Sequence, residues 1–397
     1  MDLIVIGGGA AGLFAAIAAK QKNPSASVLL LEKSAVLLSK VRISGGGRCN
    51  VTHSCFNPVP LSQNYPRGSK ELIGPFHRFQ PSDTVQWFES RGVPLKIEED
   101  GRIFPVSDQS SSIIDCLLNE AKQLGVEIRL RQRIDKIEKK EGLFELTLPS
   151  GPLSTRQLLL ATGSSPDGHL WASSFGHTIQ KPIPSLFTFN IPSSPLKELS
   201  GIAVDPVEVR IDSTDFIQKG PLLITHFGFS GPAILKLSAF AARTLNETEY
   251  RFSISVNWLP SHTEESLFSL LTSLKSTSPQ KLLANENPFS LPKNLWKTLL
   301  LSEKKICDHS AKEFRALAGK LHRDIYHIEG KTTHKEEFVT CGGVSLKEVD
   351  FKTMESKLCP GLHFAGEILD IDGVTGGFNF QNAWTTGFLS GSALLKS

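Results

Sequence analysis

Glycines near the start of the chain, together with one acidic residue, have the spacing of a site that binds phosphate and ribose. Gly7, Gly9 and Gly12 form a G-x-G-x-x-G pattern. In such a pattern the first glycine permits a tight turn, the second lets the backbone approach a pyrophosphate, and the third lets a helix pack closely on a sheet. Glu32 stands where a carboxylate accepts hydrogen bonds from a ribose diol.

The surrounding segments supply the elements that such a site requires. Residues 2–6 are a short apolar run rich in β-branched side chains, which predicts a buried parallel strand. Residues 13–20 predict a helix, and residues 28–31 predict a second buried strand. The free N–H groups at the start of that helix would face phosphate oxygens with the helix dipole behind them. Because these elements follow in order, the sequence predicts a dinucleotide site rather than a structural glycine turn.

A second glycine-rich segment runs from Lys40 to Asn50. Its three consecutive glycines, Gly45 to Gly47, would expose backbone amides and let the chain lie flat against a planar ligand. Lys40 and Arg48 would bring positive charge to a pyrophosphate or to an anionic substrate. The alternative is a flexible surface loop, which the adjoining Arg-Cys-Asn triplet disfavours.

The C-terminal part contains further candidate binding residues. An apolar strand stops at Thr162-Gly163, where a chain passes close to a bound dinucleotide. The last strand ends at Gly366-Glu367, and a Gly376-Gly377 turn opens a final helix through Leu395. The dipole of that helix would stabilise negative charge on the N1–C2=O edge of a reduced isoalloxazine ring. Glu367 is suited to bond the ribityl or pyrophosphate portion, with bridging water as needed.

The chain between these parts has a different pattern. Prolines recur between short alternating strands from residue 182 onward, and residues 264–305 predict a largely helical stretch that is interrupted at Pro279, Pro288 and Pro292. We interpret residues 185–340 as an inserted domain of strands and helices. Within it, His226 lies on a glycine turn just before a helix. It would be a proton donor if it faces the flavin, and an ordinary capped helix start is an equal alternative.

Bulk composition excludes several classes of protein. The 397 residues carry 43 basic and 40 acidic side chains, and a net charge of +3 does not predict a surface coated by nucleic acid, although a local basic patch stays open. The six cysteines are scattered without metal-type spacing, so we expect neither a disulfide framework nor a metal site. The apolar start lacks a basic n-region, and no other run approaches the ~18 apolar residues of a membrane helix. These features predict a cytoplasmic protein.

These motifs together resemble those of the BaiN/RdsA (YhiN-like) family of FAD-dependent oxidoreductases. The matching strings include GGGAAG at 7–12 with Glu32, SGGGRCN at 44–50 and AGEILDIDGVTGGFN at 365–379, and the similarity extends over nearly the whole chain.

The resemblance implies an α/β fold with a Rossmann-like FAD-binding domain of the glutathione-reductase-like superfamily. That domain would be split by an inserted β-barrel-like plus helical domain. The expected FAD-binding domain comprises residues 1–184 and 341–397, and the expected insertion, a substrate or cap domain, comprises residues 185–340.

The resemblance also implies which residues hold FAD. They come from the first glycine turn, the end of the second strand, the 40–50 loop, the middle strands and the C-terminal turn. They are Gly7, Gly9, Ala10, Ala11, Gly12, Glu32, Lys33, Lys40, Ser44, Gly45, Gly47, Arg48, Cys49, Asn50, Ile134, Thr162, Gly163, Gly366, Glu367, Asp372, Gly376, Gly377, Phe378 and Asn379.

For the reaction, the resemblance implies reduction of a carbon–carbon double bond by hydride transfer from flavin N5, with NAD(P)H as the transient electron donor. The substrate would be uridine of 23S ribosomal RNA, giving dihydrouridine, or a small molecule. Cys49, His53 and His226 are candidate proton donors, and Cys49 is favoured because it lies in the loop expected at the ring. An RNA substrate would require a local basic surface. Candidates for it are Arg67, Lys70, Arg78 and Arg102.

Two other interpretations stay open. A disulfide reductase-like flavoenzyme would also place cysteines after a glycine-rich segment, but five residues separate Cys49 from Cys55 and no second G-x-G-x-x-G marks an NAD(P)H domain. A non-catalytic FAD-binding interaction protein would keep the flavin as a structural ligand. Reduction of the flavin by NADH or NADPH would separate that class from an enzyme. The sequence does not indicate an oligomeric state.

Overall fold

The structure is a computed structural model that describes residues 1–332 and 339–394. The chain divides into two compact units. Unit 1 comprises Met1–Pro184 with Lys335–Ser397, and unit 2 comprises Ser185–His334. Unit 2 therefore ends six residues before the predicted residue 340, within a segment that lies outside the described residues.

Both units contain strands and helices. In chain order, the strands are β1 (Leu3–Ile6), β2 (Val28–Leu31), β3 (Thr52–His53), β4 (Leu95–Ile97), β5 (Arg102–Pro105), β6 (Glu127–Arg129), β7 (Lys136–Lys140), β8 (Leu143–Thr147), β9 (Leu153–Thr155), β10 (Gln157–Leu160), β11 (Ile179–Ser185), β12 (Thr188–Asn190), β13 (Ala203–Ile211), β14 (Ile217–Ile224), β15 (Gly228–Ser230), β16 (Arg251–Asn257), β17 (Asp324–Glu329), β18 (Lys331–Thr332), β19 (Val339–Val344), β20 (Val349–Asp350), β21 (Glu355–Ser356) and β22 (Leu362–Phe364). The helices are α1 (Ala10–Lys22), α2 (Ser39–Ile43), α3 (Pro58–Ser62), α4 (Ile73–Phe76), α5 (Pro81–Glu89), α6 (Ser110–Gln123), α7 (Pro166–Ser174), α8 (Pro232–Phe240), α9 (Ala242–Glu247), α10 (Glu264–Thr277), α11 (Lys293–Leu299), α12 (Ala311–His322) and α13 (Phe378–Ala393).

A seven-stranded sheet organises unit 1, in the order β20-β21-β22-β10-β1-β2-β6. The strands from β22 to β6 pair in parallel, with β1 between β10 and β2. All residues of β1 and β2 are buried, which explains their continuous apolar sequence, because both faces of a parallel sheet are covered. The carboxyl ends of β1, β2 and β10 therefore meet at one edge, where the predicted dinucleotide residues stand. The Rossmann-like prediction is confirmed.

Two helices of unit 1, α1 and α13, pack against each other. Glycines on α13 make the contact. A Cβ at Gly387 would lie 2.7 Å from the Ala11 carbonyl oxygen, and a Cβ at Gly391 would lie 2.3 Å from the Ala15 carbonyl oxygen. Glycine is therefore required at both positions for this helix spacing. The helix was predicted to run through Leu395, which lies outside the described residues.

Smaller sheets complete unit 1. The strands β3, β5 and β4 form one antiparallel sheet, and β7, β8 and β9 form another. The short pair β11-β19 joins the two ends of the unit that flank the insertion. Across residues 1–332 and 339–394, none of the helices has the length and apolar character that a membrane crossing needs.

Unit 2 is built on a seven-stranded sheet in the order β17-β16-β13-β14-β15-β12-β18, whose neighbouring strands pair antiparallel. Its core combines inward side chains of the sheet with apolar residues of α8, α10, α11 and α12, including the buried Trp258 and Trp296. The family resemblance implied a barrel-like sheet. The pairings described place β17 and β18 at the two edges, so the sheet is open among these strands.

The helical stretch of unit 2 is interrupted where the prolines predicted, but less of it is helical than expected. Residues 264–305 were expected to be largely helical apart from these breaks, and in the structure α10 ends at Thr277 and α11 covers only Lys293–Leu299. Prolines at positions 279, 288 and 292 separate the two helices. A proline lacks the amide that a helix interior needs, so the chain between them is irregular.

Candidate functional site

The turn between β1 and α1 is shaped by three glycines with different surroundings. Gly7 has a φ of +111°, and a Cβ there would lie 2.3 Å from the Ala161 carbonyl oxygen. A Cβ at Gly12 would lie 2.0 Å from the Gly7 carbonyl oxygen. A Cβ at Gly9, in contrast, would meet no atom within 4 Å. Packing therefore requires the first and third glycines, whereas Gly9 leaves open space at the start of α1.

The start of α1 offers backbone donors to that space. Its N-cap residue, Gly9, has no side chain to bond the first-turn amides, and the first turn contains no acidic residue. The amides of Ala10 and Ala11 therefore keep their hydrogen-bonding capacity, and the helix dipole favours an anion there. An open glycine position in front of uncapped amides fits the pyrophosphate of a dinucleotide.

Glu32 stands at the end of β2 with its carboxylate held by two backbone groups. Its Oε2 accepts a hydrogen bond from the Gly8 amide at 2.7 Å, and its Oε1 accepts one from the Ser34 amide at 2.7 Å. Each oxygen has a further lone pair, so the fixed carboxylate can also accept a bond from a ribose hydroxyl. The neighbouring Lys33 is exposed, and its Nζ lies 3.5 Å from Asp167 Oδ2.

Glu367 connects segments that are far apart in the sequence. Its Oε2 forms an ion pair with Lys40 Nζ at 2.5 Å, and its Oε1 accepts a hydrogen bond from the Thr340 amide at 3.1 Å. Gly163 has a φ of +61°, and a Cβ there would lie 3.7 Å from the same Oε2. Gly366 packs against the first turn of α1. The structure thus brings four predicted site residues together and adds Thr340.

Two of the three glycines in the 44–50 loop are open, whereas a Cβ at Gly45 would lie 2.8 Å from the Phe104 ring. Residues Ser44–Gly47 form a short 3-10 turn in which Gly45 and Gly46 have φ values of +59° and +69°. A Cβ at Gly46 or Gly47 would meet no atom within 4 Å. A backbone without neighbouring side chains is suited to lie against a flat ligand.

The start of α13 also lacks a side-chain cap. Its N-cap Gly377 has a φ of +92°, and the first turn contains no acidic residue. Asn50, with its amide oriented to satisfy both neighbours, accepts a hydrogen bond from the Gly377 amide at 2.9 Å and donates one to the Thr52 carbonyl at 3.0 Å. The Asn379 side chain bonds the Gly373 amide at 2.8 Å and the Gly373 carbonyl at 2.9 Å. These two side chains shape the turn that leads into α13.

His53 lies beside the same glycine turn. Its ring stacks on Phe378 with the centroids 4.7 Å apart, and its Nε2 is 3.2 Å from the Asp100 carbonyl oxygen. A Cβ at Gly376 would lie 3.5 Å from His53 Cδ2. Phe378 is buried, and its carbonyl accepts a hydrogen bond from the Tyr65 hydroxyl at 2.6 Å. Of the three candidate proton donors, His53 is the one next to the Gly376-Gly377 turn.

Two predictions for the 44–50 loop are wrong in this structure. Cys49, the favoured proton donor, has no exposed surface, and burial raises the pKa of its thiol to about 12. A residue without accessible surface cannot contact a cofactor or a substrate, so Cys49 is a core residue. The Arg48 guanidinium lies 2.6 Å from Glu98 Oε1, 3.4 Å from Asp108 Oδ1 and 3.9 Å from the centre of the Phe104 ring. These carboxylates neutralise the charge that was expected to face a pyrophosphate.

Asp372 was also predicted to contact the cofactor, and the structure contradicts this. Its side chain is fully buried in an ion pair with Arg67, whose own side chain is only 9% exposed. The same pairing removes Arg67 from the predicted RNA-binding surface, because its guanidinium is directed into the protein.

The other three predicted RNA contacts differ in their surroundings. The Arg102 Nε lies 2.6 Å from Asp100 Oδ2, so its charge is matched locally. Lys70 is exposed. Arg78 is exposed and donates a hydrogen bond to a backbone carbonyl, which does not neutralise its charge. Lys70 and Arg78 therefore remain candidates for contacts to phosphate.

Three buried polar atoms near the site have no hydrogen-bond partner among the described residues, namely Thr162 Oγ1, His169 Nε2 and Thr340 Oγ1. Leaving such atoms unpaired costs about 1–3 kcal/mol each, so these positions fit a ligand that supplies the missing bonds. Burial lowers the pKa of His169 below its ordinary value, which favours the neutral ring. Sequence analysis predicted Thr162 from its place at a strand end. His169 and Thr340 were not predicted as site residues, since neither stands in one of the glycine-rich segments from which those residues were chosen. Ile134 is buried.

His226 lies in unit 2, at the turn between β14 and β15. The Thr225 hydroxyl oxygen accepts hydrogen bonds from the Phe227 amide at 3.3 Å and the Gly228 amide at 3.2 Å, so the turn is held locally. His226 is exposed at its tip beside Phe227, whose exposed fraction is 64%. His226 is accessible to a substrate, and its role stays a prediction.

Known proteins are similar to this chain over its whole length. The family model described as HI0933-like protein Rossmann domain matches residues 1–393. The ribosomal RNA dihydrouridine synthase of Escherichia coli (strain K12) is 31% identical over 412 residues, covering 100% of this chain and 98% of that protein. The 3-dehydro-bile acid delta(4,6)-reductase of Clostridium scindens is 27% identical over 404 residues, covering 98% of each chain.

Among solved structures, the 3-ketosteroid-delta4-(5alpha)-dehydrogenase from Rhodococcus jostii RHA1, in complex with 4-androstene-3,17-dione, is similar with a TM-score of 0.52. The match covers 100% of this chain and 97% of that chain at 14% identity. At this identity the likeness concerns the fold alone.

Proposed function

The chain belongs to the HI0933-like family and is an FAD-dependent oxidoreductase, and on that premise we propose that it reduces uridine to dihydrouridine in 23S ribosomal RNA, with NAD(P)H as electron donor. The observation that carries the proposal is the full-length similarity, at 31% identity, to a ribosomal RNA dihydrouridine synthase. The open positions at Gly9, Gly46 and Gly47 and the uncapped starts of α1 and α13 support a bound flavin dinucleotide.

The chain would hold FAD with two helix starts. The amides at the start of α1 and the open position at Gly9 would bind the pyrophosphate, and Glu32 would accept a hydrogen bond from the ribose. Gly46, Gly47 and the start of α13 would hold the ring system, where the uncapped amides favour negative charge. When bound, FAD supplies a hydride from N5 to the double bond.

The protein must also move a proton. In uracil the C5=C6 bond is conjugated to the C4 carbonyl, so the proton is required at C5. His53 is our first candidate for the donor because it lies beside Gly376, and the exposed His226 is the second. Replacing either by Gln and following dihydrouridine formation over pH assigns the role, because only the true donor removes a titration from the rate profile.

A small unsaturated molecule is the second candidate substrate, because a 3-dehydro-bile acid delta(4,6)-reductase is 27% identical along the chain. The disulfide reductase alternative has lost its main support, since Cys49 is buried and has no surface from which to contact a flavin or a disulfide. For the non-catalytic alternative, the separating observation is whether NADH or NADPH bleaches the bound flavin without oxygen.

The test is nucleoside mass spectrometry of 23S ribosomal RNA from a strain that lacks the gene. We expect one dihydrouridine to be lost and to return when the wild-type gene is restored. A Gly9→Glu variant should fail to restore it, because the new carboxylate would occupy the phosphate position. The exposed Ser25→Glu variant, which adds the same charge elsewhere, should restore it. An unchanged dihydrouridine content in the deletion strain would exclude this substrate.

A further inference from the structure

One short segment of unit 1 fastens the loop that leads into α13. We call residues 64–68 the strap and residues 370–377 the α13 approach. The Val374 amide donates a hydrogen bond to the Asn64 carbonyl at 2.9 Å. The Tyr65 hydroxyl adds its bond to the first residue of α13. Strap and approach therefore meet at several points, although about 300 residues separate them in the sequence.

The strongest of these contacts is the ion pair between Arg67 and Asp372. Arg67 Nε lies 2.5 Å from Asp372 Oδ1, and Arg67 Nη2 contacts the second carboxylate oxygen. The two residues also form an antiparallel backbone bridge. A planar guanidinium that bonds both carboxylate oxygens fixes the orientation of the two side chains as well as the distance between them. Because Asp372 is 0% exposed, either charge left alone would be strongly unfavourable.

The position of this pair indicates a purpose beyond holding the fold. The α13 approach continues from Asp372 through the Gly376-Gly377 turn, and neither glycine has a side chain to fix its own direction. We propose that Arg67 and Asp372 are positioning residues that fix the uncapped start of α13 against the flavin ring. The proposal rests on the proposed function only in taking FAD as the cofactor.

Breaking the pair should then alter the flavin as well as the protein. If the start of α13 moves, its amides and dipole stabilise negative charge on the reduced ring less well. FAD binds more weakly, and the midpoint potential of the bound flavin becomes more negative. A pair with only a structural role would lower the unfolding temperature and leave the flavin properties unchanged.

The experiment compares Asp372→Asn, Arg67→Lys and the double variant Arg67→Lys/Asp372→Asn in the full chain. Apoprotein is titrated with FAD by calorimetry, and the midpoint potential and unfolding temperature are measured on the same samples. We expect Asp372→Asn to weaken FAD binding about tenfold, a typical coupling between separate sites. Arg67→Lys keeps the charge but loses the two parallel hydrogen bonds, so its FAD affinity should lie between those of Asp372→Asn and the wild type.

The matched control is Arg91→Ala in the same unit. Arg91 Nη2 lies 3.0 Å from Glu120 Oε1, both side chains are largely buried, and the pair is distant in sequence from the predicted cofactor residues. This variant should lower the unfolding temperature without changing FAD affinity or potential.

Unchanged FAD affinity and potential in Asp372→Asn and Arg67→Lys, with unfolding temperatures lowered as in Arg91→Ala, would overturn the proposal. So would fully additive effects of the two positions on FAD affinity, because a pair that acts as a unit shows coupling. These measurements do not involve RNA, so failure of the uridine assignment would leave their outcome intact. A wild-type chain that does not bind FAD would instead contradict the proposed function itself.

Discussion

Two helix starts in unit 1 present uncapped amides, and they are built in different ways. At α1 the turn is shaped by its own glycines, which pack against Ala161, just after β10, and against each other. At α13 the turn is held from outside, by Asn50, Tyr65 and Arg67. The first arrangement is local, and the second depends on residues from the other end of the chain.

This difference suits the two helix starts to separate roles, with α1 binding the cofactor and α13 adjusting the properties of its ring. A local glycine turn is rigid by packing, so it is suited to the pyrophosphate, which is the same in every reaction of the cofactor. A helix start held by remote side chains can be adjusted without altering the pyrophosphate site. Changes at α1 should therefore act on FAD binding as a whole, and changes around α13 should act on the ring as well.

The largest effect is expected where the two helices touch. Gly391→Val should destabilise unit 1 by about 3 kcal/mol, because the added side chain would collide with the Ala15 carbonyl. Urea unfolding measures this loss. Ser392→Val, at the half-buried neighbouring position, is the control and should change stability much less. Equal stability of the two variants would show that α1 and α13 are not closely packed.

The next effect concerns α1 alone. Gly9→Glu should weaken FAD binding by at least about a hundredfold, because like charges near 4 Å repel by about 4 kcal/mol in a protein surface environment. The open space at Gly9 means that the protein should keep its fold. Calorimetric titration with FAD and the unfolding temperature check both points. An affinity like that of Ser25→Glu would place the pyrophosphate elsewhere.

A smaller effect distinguishes the two basic residues of the 40–50 loop. Lys40→Ala should weaken FAD binding about fivefold, because Lys40 is paired with Glu367 at the site. Arg48→Ala should change it less than about twofold, because Glu98 and Asp108 neutralise that guanidinium. The same titration measures both variants. A larger loss for Arg48→Ala would restore the original prediction for that residue.

The smallest effect is a pH dependence on the α13 side. Burial lowers the pKa of His177 and of His363 below the ordinary value of 6.5, whereas residues 1–52 contain no histidine. In the unfolded chain the two imidazoles have the ordinary pKa and bind protons more readily than in the folded protein. The stability that comes from keeping these histidines neutral is therefore complete above pH 6.5 and is lost as pH falls through their folded pKa values. Calorimetric scans between neutral and mildly acidic pH should show this loss. His177→Gln should make the unfolding temperature depend less steeply on pH. An unchanged dependence would show that His177 does not contribute to it.

The local half of the site could be predicted from the sequence. Gly7, Gly12 and Glu32 act within one β-α-β unit, and spacing alone places them. The remote half could not. From its motif, Asp372 was expected to bind the cofactor. Only the fold shows that its carboxylate is paired with Arg67. Arg48 likewise stands beside three glycines, but a hairpin 50 residues away supplies its carboxylate.

Burial is the second property that the sequence does not reveal. Cys49 follows an arginine in a glycine-rich loop, which suggests accessibility, yet its φ of +63° turns the residue into the core. His169 and Thr340 acquire their interest only because they are buried with an unpaired atom. A single sequence gives no indication of such positions outside a motif.

The central claim is tested most directly by a single turnover without oxygen. Protein whose flavin has been reduced by NADPH is mixed with 23S ribosomal RNA from the deletion strain, and flavin absorbance and nucleoside composition are followed together. The account predicts that the flavin is reoxidised as one dihydrouridine forms for each flavin. A flavin that stays reduced in the presence of this RNA, while a small unsaturated acceptor reoxidises it, would contradict the account.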